Sequence, residues 1–68
     1  MNFRIETERE EDGRWMAEVL ELPGAMVYAP TRDEAVARAK ALALRVVAER
    51  LEHGEAGAEL VDISFRAA

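Results

Sequence analysis

Thr31-Arg32-Asp33-Glu34-Ala35-Val36-Ala37-Arg38-Ala39-Lys40-Ala41-Leu42-Ala43-Leu44-Arg45-Val46-Val47-Ala48-Glu49-Arg50-Leu51-Glu52-His53-Gly54 reads as one helix, and the rest of the chain has to be arranged around it. Thr31 and Glu34 have the spacing of a capping box, in which a hydroxyl oxygen and a carboxylate satisfy orphan N–H groups at a helix start. Ala35, Val36, Ala39, Leu42, Ala43, Val46 and Val47 recur at spacings of three and four, a wide apolar stripe that must lie on another element. Gly54 after His53 supplies the residue that tolerates a left-handed stop.

Before the helix, Phe3, Ile5 and Thr7 alternate with Arg4, Glu6 and Glu8, the period of a strand with one buried face, here residues 2 to 9. Glu10-Glu11-Asp12-Gly13 is turn chemistry and predicts a hairpin into a second strand, Arg14 to Leu20, with Trp15, Ala17 and Val19 on the core face. Leu22-Pro23-Gly24 makes a corner, because proline lacks a ladder donor and glycine can turn without a side-chain clash. Ala25 to Tyr28 forms a short third strand of ambiguous facing, and Pro30 ends it ahead of the helix cap. Beyond the loop Gly54-Glu55-Ala56-Gly57, the alternation of Val61, Ile63 and Phe65 with Asp62, Ser64 and Arg66 gives a fourth strand.

Residues 1–68 therefore read as one α+β domain, β-β-β-α-β. Three antiparallel strands followed by a helical crossover lay strand four parallel to strand one, on its free side, in a four-stranded mixed sheet of order 3-2-1-4. The helix is expected to pack on one face, over Phe3, Ile5, Trp15, Ala17, Val19, Val61, Ile63 and Phe65. A chain this short buries only about 60% of its unfolded surface, which favours self-association.

Two surfaces are left over. The uncovered sheet face carries Met16, Leu20 and Leu60 among Arg4, Glu6, Glu18 and Asp62; it reads either as a solvated face with scattered apolar residues or as a partner surface. On the helix, Ala37, Ala41, Leu44, Ala48 and Leu51 repeat every four and three residues, a seam able to pack helix on helix, although alanine is also the best helix former wherever packing does not decide. Met16, Leu20, Ala41, Leu44 and Ala48 are thus the candidate oligomer contacts. Glu34 with Arg38, and Arg45 with Glu49, are expected ion pairs on the rest of the helix surface.

Fourteen acidic residues oppose nine basic ones, a net charge of −5, which disfavours nucleic acid as a direct partner and suits a basic one. The excess is concentrated in the first strands, at Glu6, Glu8, Glu10, Glu11, Asp12, Glu18 and Glu21. The absence of cysteine removes disulfides, thiolate metal sites and a thiol nucleophile, and fits the cytoplasm. No signal peptide opens the chain and no run is long and apolar enough to span a membrane. His53 sits where an imidazole meets helix-terminal carbonyls, with no Ser, Cys or second His spaced for a triad or metal site. No catalytic apparatus, metal or cofactor is expected; the nearest approach is Glu6 with Glu18, cross-strand neighbours of the kind that can hold Mg²⁺.

The stretch Asp12-Gly13-Arg14-Trp15-Met16-Ala17-Glu18-Val19-Leu20-Glu21-Leu22-Pro23-Gly24, with Thr31-Arg32-Asp33-Glu34-Ala35 opening an alanine-rich helix, resembles the HicB-like antitoxin family. The resemblance implies a partial RNase H-like fold of β-β-β-α-β order. It also implies self-association and the neutralisation of a small basic mRNA interferase of the HicA type, with no enzymatic activity of the domain itself. Leu20 stands where the family often has a proline, and Ala29-Pro30 where it usually has a glycine. Many members continue into a helix-turn-helix or ribbon-helix-helix segment; none follows here, so operator DNA binding is not expected. Strand one carries no aspartate for RNase H-type metal chemistry. On the acidic strands, Glu6, Glu8, Glu18 and Glu21 become the candidate toxin contacts.

Overall fold

The computed structural model describes residues 1–55, 57 and 62–68. Its elements follow in the order β1 (Asn2–Arg9), β2 (Trp15–Val19), β3 (Met26–Ala29), α1 (Arg32–Glu52) and β4 (Ser64–Ala67). They form a mixed four-stranded sheet of order β3-β2-β1-β4, with β4 parallel to β1 and the other pairs antiparallel. This is the α+β arrangement the sequence predicts.

Each connection has a local cause. Gly13, at φ 91°, closes the first hairpin with its N–H on the Glu10 carbonyl, and Asp12 Oδ1 accepts from the Arg14 N–H. At the corner, Gly24 takes φ 83° after Pro23 while Ala25 donates to the Leu22 carbonyl at 2.9 Å, the turn in which only the third residue needs a left-handed backbone. Helix α1 starts where Thr31 Oγ1 accepts from the Glu34 N–H at 3.2 Å. It ends in a Schellman motif: Glu55 N–H bonds the Arg50 carbonyl and Gly54 N–H the Leu51 carbonyl, with Gly54 at φ 71°.

The core lies between α1 and one face of the sheet. Ala35, Ala39 and Ala43 are fully buried and Val47 nearly so, which places the helix stripe on Phe3, Ile5, Ala17, Val19 and Ala29. Alanines at the contact let helix and sheet approach closely, so the core is thin; Phe3 and Val19 are its largest fully buried side chains. Val36, Leu42, Val46, Trp15, Val27 and Phe65 pack around its rim. Phe3 and Phe65, in register on β1 and β4, stack with ring centroids 5.6 Å apart.

Several expectations need correction. Leu22 and Ala25, absent from the expected core, belong to it, because the corner folds inward. Ile63, expected on the core face, precedes β4 and is 39% exposed. Val61 and Leu60 lie outside the described residues. Neither helix ion pair forms, Glu34 with Arg38 or Arg45 with Glu49; the side-chain pairs among the described residues are Arg4–Glu21 and Arg14–Asp12. Arg38 instead donates to the Tyr28 carbonyl at 2.7 Å, on the outer edge of β3. An exposed ion pair is worth little, and an unpaired edge carbonyl is a good alternative acceptor.

Candidate interaction surface

The sheet face turned away from α1 is built by register. Glu6 stands opposite Glu18, and Glu8 opposite Met16, whose other neighbour is Tyr28; Glu18 pairs in turn with Met26. Glu6, Glu8 and Glu18, predicted as partner contacts, therefore share one face. Like charges directly opposed across strands destabilise a sheet, and none of these three carboxylates has an ion-pair partner among the described residues.

Glu21, the fourth predicted contact, is differently placed. Its Oε1 accepts the Arg4 backbone N–H and its Oε2 the Arg4 Nε–H, both at 2.7 Å. The Arg4 side-chain hydrogen bond, followed by the backbone one, holds its carboxyl below the usual glutamate value. Glu21 therefore clamps β1 to the corner after β2 and is already neutralised. Asp12 is held low likewise, first by the Arg14 backbone N–H and then by the Arg14 side chain.

Met16 requires a correction. Expected as an exposed apolar contact, it is 8% exposed, because the central strand of a three-strand meander has long side chains on both flanks, here Glu8 and Tyr28. The accessible apolar surface on this face belongs instead to Met26 at 44% and Tyr28 at 39%, with Leu20 half-buried. Tyr28 is fixed from two sides: Arg14 lies 4.8 Å from its ring centroid, and its hydroxyl donates to the Met26 sulfur. Sequence pattern alone missed Met26 and Tyr28 since the facing of β3 depends on its pairing with β2; the hairpin register, extended through the corner, was the signal for them.

On the opposite side of the molecule, Ala37, Ala41, Leu44, Ala48 and Leu51 are all exposed, Leu44 by 45%. The helix seam is thus a continuous small-and-apolar strip, separate from the acidic face. Among the described residues no helix is long and apolar enough to cross a membrane. No three His, Cys, Asp or Glu side chains among them converge as metal ligands would. Comparison with protein-family models, with curated proteins and with solved structures returned no match.

Proposed function

We propose that this domain is a non-catalytic, HicB-like antitoxin-type module that binds and neutralises a small basic RNA-cleaving toxin. The observation that carries the reading is the juxtaposition of Glu6, Glu8 and Glu18, which have no ion-pair partners among the described residues, beside the exposed ring of Tyr28 and the side chain of Met26. An RNA-cleaving protein must present Lys and Arg to phosphates. Carboxylates held on a rigid sheet occupy those cations by charge complementarity, speed encounter and exclude the RNA. Tyr28 and Met26 supply the apolar contact that such an interface needs at its centre. Also in support, the β-β-β-α-β order implied by the resemblance is the order of elements here. The cysteine-free composition fits action in the cytoplasm.

The test is capture of a partner from native lysate at low and high salt, followed by reconstitution. A small basic protein is expected, released as salt rises, whose RNA cleavage stops when the pure domain is added. Glu6→Gln with Glu18→Gln should restore cleavage. Inhibition undiminished by that pair would refute the acidic face as the contact.

A second reading is a homo-oligomeric interaction module without a toxin partner. It is favoured by the exposed strip Ala41, Leu44 and Ala48, flanked by Leu51. Light scattering at micromolar concentration should show an oligomer that Leu44→Glu dissociates; a monomeric parent chain would refute it.

A further inference from the structure

Among the described residues nothing pairs with the outer edge of β4. Ser64 N–H bonds the Met1 carbonyl and Ala68 N–H the Ile5 carbonyl, so alternate residues of the strand face β1. By the same alternation, the N–H and C=O of Phe65 and Ala67 point outward. Beside this edge, between β4 and the first half of α1, runs a groove of about 170 Å³ floored by Ile5, Val36 and Phe65. Arg32 and Lys40 rim it from the helix, Arg66 borders it from β4, and no carboxylate among the described residues lines it. Lys40 is drawn over the floor, its Nζ 5.8 Å from the Phe65 ring centroid. None of the three cations has an ion-pair partner among the described residues. Three cations without ion-pair partners among the described residues thus flank this edge, Arg32 and Lys40 on the helix side and Arg66 on the other, in a chain whose net charge is −5.

These charges select the occupant. A second copy pairing edge to edge, β4 against antiparallel β4, would bring both copies' Arg32, Lys40 and Arg66 together along one short seam, with Arg66 opposite its own counterpart in the register centred on it; like charges opposed across strands repel. The other sheet edge is guarded differently, with Arg38 on the Tyr28 carbonyl and the Met26 N–H on the Gly24 carbonyl. Among the described residues, only the β4 edge combines outward backbone groups without partners, an apolar floor and positive charge without an ion-pair partner. We propose that this edge docks an extended, acidic segment of a partner protein, which adds to β4 as a fifth strand. Its apolar side chains enter the groove, and its carboxylates meet Arg32 and Lys40 on the helix side and Arg66 on the other. Main-chain hydrogen bonds supply affinity in such strand addition, and alternate side chains supply specificity. The site is distinct from the acidic face and takes the opposite charge, so it does not rest on toxin binding.

The test uses the full chain and a labelled, blocked hexapeptide Glu-Glu-Val-Glu-Ile-Glu, with its Lys-for-Glu counterpart as control. By fluorescence anisotropy the acidic peptide should bind at least about tenfold more tightly than the basic one, and Arg32→Glu with Lys40→Glu should remove that preference. Arg9→Glu with Arg45→Glu, both outside the groove, makes the same change in net charge and should leave binding unchanged. Binding should slow amide hydrogen exchange at Phe65 and Ala67, and Ala67→Pro, which deletes one outward N–H, should abolish it. Equal binding of both peptides, or none, would overturn the proposal and leave the cations as guards against edge aggregation. Acidic-peptide binding without protection of Phe65 and Ala67 would also overturn it, showing a simple anion site, as would tighter binding of a single-stranded RNA oligonucleotide.

Discussion

Glu18→Arg should make the domain more stable while removing its proposed function. Glu6 and Glu18 are direct cross-strand partners, so their side chains leave the sheet about 5 Å apart. Two unit charges at that distance in water interact by about 0.8 kcal/mol, and screening at physiological salt roughly halves this. Reversing one charge exchanges a repulsion for an attraction, a gain of about 1 kcal/mol, which corresponds to a melting temperature about 4–8 °C higher for a domain of this size. Glu18→Gln removes the repulsion without adding the attraction and should give about half the gain. In about 1 M salt, where the Debye length falls to about 3 Å, the Arg variant's advantage should shrink to a few tenths of a kcal/mol. Thermal melts followed by circular dichroism at the two salt concentrations read all of this. A Glu18→Arg protein no more stable than the parent, or a gain insensitive to salt, would refute the claim that these carboxylates are uncompensated. A stabilised variant that still neutralised the proposed partner would refute their role in binding.

Other consequences follow from the packing and the caps. Ala43 is fully buried where α1 meets the sheet, so Ala43→Leu should overpack the contact and destabilise by about 1–3 kcal/mol in urea titrations. Thr31→Ala removes the hydroxyl that caps the helix and should cost about 1 kcal/mol, whereas Thr31→Ser should be nearly silent. Because the folded-state value of Glu21 is depressed below 4.5, its contribution to stability is present above that pH and is lost as pH falls through the folded value. Melting temperatures measured from neutral pH down to strongly acid should show this loss, and Glu21→Gln should flatten that part of the profile.

The architecture was legible because its signals are local. The Thr31 cap, the Gly54 stop, the turn glycines and the two periodicities each depend on a few neighbouring residues. Together they fixed the element order, and with it the right side of β1 for the last strand. Boundaries differ by about one residue at β2 and β3, as expected where fraying, not chemistry, ends a strand.

What escaped the sequence was decided by register and by competition for partners. Alternation along β2 puts Met16 on the open face, but only the pairing of β1, β2 and β3 sets Glu8 and Tyr28 on either side and buries it. The same pairing turns Met26 and Tyr28 outward. Spacing offers Glu34 to Arg38, yet in the folded chain the Tyr28 carbonyl takes the guanidinium. The amino-acid sequence by itself determined the elements, their order and an excess of acid in the first strands. The tertiary structure alone decided which of the described carboxylates lack a cationic partner, which apolar side chains stay in water and which scattered cations come to flank the β4 edge, because each depends on what lies across the sheet, not on what lies along the chain.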